Sequence, residues 1–260
     1  MKTKYPIVLV HGIALKDFLF VRSFGQIDRI LRIQGYKVYK AQIDGFGSVV
    51  NNANQLKEEI LKILEIEQVD KVNIIAHSKG GLDSKYMIEK LEMEDMVASL
   101  TTLCTPHKGS PIATNILKLP NPLTKLTAFW INFWYKLFGD KNPDSYQACQ
   151  DLQRVNSIEK EIFNLTSKVY CQSYSTEMLR SRDDFIMGIP LMFSKRYEAN
   201  IVSDGVVPED STIFGEYKGH AIEGSISHTE IIDFMVKKKK QDKIYMFYSM
   251  LCEELVNKGF

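Results

Sequence analysis

The sequence predicts an α/β fold, a mostly parallel sheet of about six strands flanked by helices. Two observations predict it. Short β-branched or apolar runs such as Ile7–Val10 and Val72–Ala76 are continuous, which is how strands buried on both faces read. Between them lie amphipathic stretches of helical period, and strands that alternate with helices build parallel sheets through right-handed crossovers.

Taken in order, Ile7–Val10 is the first strand, and it ends in His11-Gly12-Ile13-Ala14. A glycine directly after a buried strand allows a turn that would leave the Ile13 N–H above the sheet edge. Phe18 to Gln34 has the spacing of a helix closed by Gly35, and Tyr36 to Gln42 alternates as a strand. Asn51 or Asn52 is the expected cap of a helix running to about Glu67. Val72–Ala76 is the next strand, Gly81–Lys90 a helix, and Ser99–Cys104 a strand. Leu119 to Asp140 carries both tryptophans, and its core, Leu126 to Phe138, is apolar around nearly its whole helical circumference, broken by Thr127, Asn132 and Lys136. Such a helix is either core or covered only part of the time. Further on, Asp151–Leu165 reads as a helix and Val169–Tyr174 as a strand. Ile201-Val202-Ser203 reads as a strand end before Asp204-Gly205, Tyr217–Gly224 as the last strand and Ile244–Val256 as the closing helix. Lys237 to Lys240 reads as a solvated charge run.

At 260 residues the chain suits one well-buried domain, residues 1–260, with an insertion at about 111–148. A net charge of +1 gives no case for a nucleic-acid partner. Cys104, Cys149, Cys171 and Cys252 are far apart and form no zinc spacing, so a reducing compartment is the simpler expectation. Cys104 reads as a small buried hydrophobe. The N-terminus has too short an apolar run for a signal peptide, which points to the cytoplasm; secretion after removal of a leader is the alternative.

The centre of the chain is Ala76-His77-Ser78-Lys79-Gly80, a G-x-S-x-G elbow with alanine in the first position. A serine hydroxyl must be lifted clear of its backbone toward a base, and a sharp strand-to-helix turn does this. Residues two before and two after the serine must then be small. The same turn leaves the Lys79 N–H at a helix N-terminus, facing a developing oxyanion. In parallel sheets ligands bind beyond the carboxyl ends of the strands, where Ile13 and Ser78 both fall. The chemistry requires an acid and then a histidine later in the chain. Asp204 fits the acid better than Asp183 or Asp184, and His228, at a loop-to-helix junction, fits better than His220, which lies inside a strand. His11 and His107 read as structural.

These residues carry a resemblance. His11-Gly12-Ile13, the elbow, Thr105-Pro106-His107-Lys108-Gly109-Ser110, Asp204-Gly205-Val206-Val207 and Ser227-His228 occur in order, and together they resemble the bacterial triacylglycerol lipase group of the α/β-hydrolase superfamily. The resemblance implies a serine hydrolase cleaving carboxylic esters of lipids through a Ser-His-Asp triad and an acyl-enzyme. Ser78 is the expected nucleophile, His228 the base and Asp204 the acid, with the Ile13 and Lys79 N–H groups as oxyanion hole. A short-chain carboxylesterase or an acyltransferase would use the same residues, and a non-catalytic binding protein is a further alternative. The resemblance also implies that the aromatic segment is a lid, with Phe129, Trp130, Phe133 and Trp134 meeting substrate and touching a lipid interface. No cofactor is expected for the chemistry. A structural calcium near Asp184 and Glu230, holding the His228 loop, is an expectation of the same kind. Oligomeric state cannot be read from the chain.

Overall fold

The computed structural model describes residues 2–14, 16–17, 21–153, 168–197 and 200–260. In chain order these contain β1 (Ile7–Val10), α1 (Ile27–Ile33), β2 (Val38–Lys40), α2 (Val49–Glu67), β3 (Val72–His77), α3 (Lys79–Lys90) and β4 (Val97–Leu103). Then come α4 (Pro111–Ile116), α5 (Asn121–Leu137), α6 (Ser145–Asp151), β5 (Tyr170–Glu177), α7 (Gly188–Tyr197), α8 (Glu209–Thr212), β6 (Glu216–Ser225) and α9 (Lys238–Asn257). The strands form one sheet in the order β2-β1-β3-β4-β5-β6, and every neighbouring pair is parallel.

The continuous apolar runs are explained by two cores, one on each face of the sheet. In β1, Ile7 and Leu9 join Ile27 and Leu31 of α1 and Ile244, Tyr248 and Leu251 of α9. Val8 and Val10 face the other way, onto Leu56 and Ile60 of α2 and Met87 and Ile88 of α3. A strand covered by helices on both faces has no polar side, so its sequence cannot alternate. Among the described residues no helix is long and apolar enough to cross a membrane.

Four local expectations need correction. The first helix is shorter than its periodicity suggests, beginning at Ile27; Phe18–Phe20 lie outside the described residues. The cap of α2 is Ser48, whose side chain accepts the Asn51 N–H, and both asparagines lie inside the helix. Ile201-Val202 adds no strand to the sheet. Ser203 makes an isolated bridge with Pro208, and its carbonyl accepts the Met178 N–H, which fastens the loop to the end of β5. The Lys237–Lys240 run belongs largely to the first turn of α9. The helix expected over Asp151–Leu165 falls mostly outside the described residues.

Candidate active site

The elbow is built by steric exclusion. Ser78 follows β3 with φ +54° and ψ −131°, a backbone state that lifts its side chain off the sheet edge. The turn is tight enough that a Cβ on Gly80 would lie 2.4 Å from the His11 carbonyl oxygen and 2.8 Å from that of Val10. Glycine is therefore required there, while buried Ala76 pairs with Val10 inside the sheet.

The structure brings Ser78, Asp204 and His228 together from three parts of the chain. His228 Nε2 lies 2.9 Å from Ser78 Oγ, and its Nδ1 lies 2.6 Å from Asp204 Oδ2. With the carboxylate at Nδ1, that nitrogen carries the proton, and Nε2 is left to accept from the hydroxyl. Asp204 is buried and oriented from its other side, since Oδ1 accepts the Val206 and Val207 N–H groups at 2.9 and 2.7 Å. The backbone helps too: the His228 N–H donates to the Asp204 carbonyl at 2.9 Å, and His77 Nε2 donates to the His228 carbonyl at 2.8 Å. His77, the unassigned residue of the elbow, thus fastens the strand carrying Ser78 to the loop carrying His228.

The description of this site as a Ser-His-Asp triad with a serine nucleophile is corrected by a fourth residue. Among the described residues the triad-like group is Cys104, Asp204 and His228, all three buried, with the thiol sulfur, one carboxylate oxygen and one imidazole nitrogen within 4.8 Å of one another. Cys104 directly follows β4 with φ +53°; it belongs to the apolar core cluster and also stands beside Asp204 and His228. Sequence periodicity cannot show this, because the residue reads as the last of a buried strand. The Cys104 Sγ also lies 3.3 Å from Thr176 Oγ1. Burial pushes the thiol well above its ordinary pKa, and the neighbouring Asp204 charge adds to the shift.

Ile13 and Ser78 line a cavity of about 600 Å³, together with His77 and His228. Lys79 is the first residue of α3, where the N–H groups have no partner within the helix. Its side chain is not exposed at the site. It is buried and pairs with Asp83 at 2.7 Å, and burial raises Asp83 to about 6 against the pull of that lysine.

The inserted helix α5 forms the roof. Its inner stripe, Leu123, Thr127, Ala128 and Ile131, lines the cavity. Phe129, Trp130, Phe133 and Trp134 occupy a neighbouring stripe, are 46–60% exposed and do not line the cavity. The four aromatics expected against substrate therefore face outward. At 3.6 residues per turn the centre of this stripe lies about a third of a turn from the centre of the residues that line the cavity. The C-terminal end of α5 is tied down. Tyr135 donates to the Ala14 carbonyl at 2.9 Å, and Asp140 accepts the Gly45 and Phe46 N–H groups and pairs with Lys16.

Asp184 and Glu230 do not have the character of a calcium site. Asp184 Oδ1 accepts the Ile186 and Met187 N–H groups, and Oδ2 accepts the Ser227 hydroxyl at 2.5 Å. Both Glu230 oxygens accept from the Lys240 ammonium. A calcium ion takes six to eight oxygens, and these are spent on protein donors. His220 lies in β6 and pairs with Glu209, away from the acid, and His107 is buried against Phe214.

A parallel sheet whose strand ends carry an elbow serine, a histidine and a buried acid defines an α/β-hydrolase-fold protein of the esterase and lipase kind. The profile of the palmitoyl protein thioesterase family matches residues 6–170, and the chain belongs to that family. Triacylglycerol lipase 2 of Saccharomyces cerevisiae is 26% identical over 264 residues, spanning 90% of this chain and 73% of that protein. A triacylglycerol lipase of Pseudarthrobacter phenanthrenivorans is 36% identical over 155 residues, 57% of this chain and 48% of its own. The chain thus spans less than half of that bacterial relative. Among solved structures, a metagenomic carboxyl esterase superposes with a TM-score of 0.73 at 16% identity, over 98% of this chain and 77% of its own. The mature lipase of Bacillus licheniformis does so at 0.67 and 20% identity, over 94% and 91%. At these identities the superpositions speak for the fold. Kinship and site together support hydrolase activity on esters.

Proposed function

We propose that the chain hydrolyses carboxylic esters whose acyl part is apolar and seats beneath α5. One observation carries this: a single imidazole joins a buried carboxylate to a hydroxyl in the wall of an apolar cavity. His228 is the general base, and later the acid that protonates the leaving alcohol. Asp204 holds its tautomer and stabilises the imidazolium. The Ser78 hydroxyl is the group that Nε2 addresses, and Cys104 stands in the same cluster beside Asp204, outside the cavity lining. The Ile13 and Lys79 N–H groups would hold the oxyanion, each worth about 3 kcal/mol in the transition state. The outward aromatic stripe of α5 would touch the lipid aggregate from which substrate is drawn.

The experiment is an acyl-length series of p-nitrophenyl esters and the matching thioesters, run on the wild type, Ser78→Ala and Cys104→Ala. A rate that rises with acyl length and collapses in one variant supports the reading and identifies the attacking group. No turnover of any ester or thioester by the wild type would reject it. The thioesters belong in the series because the family profile carries that chemistry in its description.

A further inference from the structure

Lys240 is part of a four-lysine run that reads as solvent-facing, yet its side chain is only 15% exposed. It turns inward to Glu230, whose side chain is 4% exposed, and its ammonium meets the two carboxylate oxygens at 2.7 and 2.6 Å. The placement works against the helix. α9 has no acidic residue in its first turn and no side-chain cap, so a lysine there opposes the helix dipole. The partner, not the helix, accounts for where the ammonium sits.

That partner lies two residues after His228. Glu230 Oε2 also accepts the Ser227 N–H at 3.0 Å, and the Ser227 hydroxyl oxygen accepts the Glu230 N–H at 3.2 Å, closing a small ring around His228. The same Ser227 hydroxyl donates to Asp184. The loop presenting His228 is therefore bracketed by two carboxylates, and the more buried of them would carry an uncompensated charge without a cation. Asp183 is held below the usual carboxylate range chiefly by its bond from Ser225, then by Arg180, with the Lys240 charge a smaller contribution.

We infer that Lys240 is the built-in cation that positions His228, doing through Glu230 and Ser227 what a bound metal would otherwise do. Lys240 is a positioning residue, and its catalytic consequence rests on the ester-hydrolase reading above.

The test uses the intact chain, p-nitrophenyl ester turnover and thermal unfolding. For the wild type, kcat and Tm are expected to be the same in EDTA and in millimolar calcium. Lys240→Met is expected to lose about ten- to a hundred-fold in kcat with KM within about twofold, because the base is misplaced while the cavity is intact. Lys240→Arg is expected to recover most of the loss. A fall in wild-type kcat or Tm on chelation would overturn the inference, as would full kcat in Lys240→Met. Should Lys240→Met not fold, the pair Glu230→Gln with Lys240→Met removes the stranded charge: a folded double variant with low kcat supports the inference, and full kcat refutes it. If the wild type turns over no ester, the functional reading fails by itself. The tether is then decided by chelation-independent Tm and by its drop in Lys240→Met.

Discussion

The hydroxyl of Tyr135, on the roof helix, donates to the carbonyl of Ala14 at 2.9 Å. Ala14 follows Ile13, the proposed oxyanion donor, and it sits at φ +65°. The roof and the oxyanion loop are therefore mechanically joined. Removing one neutral hydrogen bond costs about 1 kcal/mol. Tyr135→Phe is expected to lower kcat by about fivefold with little change in KM, measured on a soluble ester. An unchanged kcat would uncouple the roof from the loop.

Ser78 and Cys104 both neighbour the acid–base pair, and their variants separate their roles. One of Ser78→Ala and Cys104→Ala is expected to lose about 10⁴-fold in kcat with an unchanged unfolding curve, and that variant identifies the attacking group. The Cys104 thiol is buried, outside the cavity lining and shifted away from ionisation, so an attack by it requires His228 to take its proton. A loss of that size in Cys104→Ala would make the thiol the attacking group. Fluorophosphonate labelling with peptide mapping gives an independent reading.

The aromatic stripe predicts a split between substrates. Phe129, Trp130, Phe133 and Trp134 face outward, so Trp130→Ala with Trp134→Ala is expected to leave turnover of a dissolved short ester nearly unchanged. The same pair is expected to weaken binding to phosphatidylcholine vesicles by about tenfold, since each tryptophan carries a large apolar area. Vesicle co-sedimentation measures it, and equal binding would reject the stripe as a lipid contact.

Glu89 predicts a pH dependence of stability. Burial raises its carboxyl to about 7, with Lys85 and Lys90 pulling the other way, and its buried Oε1 has no hydrogen-bond partner among the described residues. The folded state thus holds a proton that the unfolded state releases near pH 4.5. Its contribution to stability falls as pH rises from about 4.5 to about 7, because over that window the folded chain binds more protons. Glu89→Gln is expected to flatten this part of the stability curve in urea unfolding measured from pH 4.5 to 8. An identical slope in both proteins would refute the shift.

How much was legible in the chain differs from element to element. β1 and β3 were readable because burial on both faces leaves no polar positions in them. The elbow was readable because Gly80 has no substitute where a Cβ would strike the His11 carbonyl. The α1 start and the α2 cap were misplaced, since Phe24 packs as core ahead of its helix and Ser48 lies one turn before the asparagines. Asp204 was found from its Asp-Gly turn, although the strand thought to precede it is an irregular loop.

By itself the sequence determined the parallel α/β sheet and the strand ends beyond which ligands bind, because strand burial and turn sterics are local constraints written in residue type. Tertiary structure alone decided three things. It placed Cys104 beside Asp204 and His228, through a positive φ that periodicity does not show. It turned the aromatic stripe of α5 outward, because only the cavity below defines which side of an all-apolar helix is inside. And it folded Lys240 inward onto Glu230, because a lysine's charge goes to the buried carboxylate nearest in space, ten residues away in the chain.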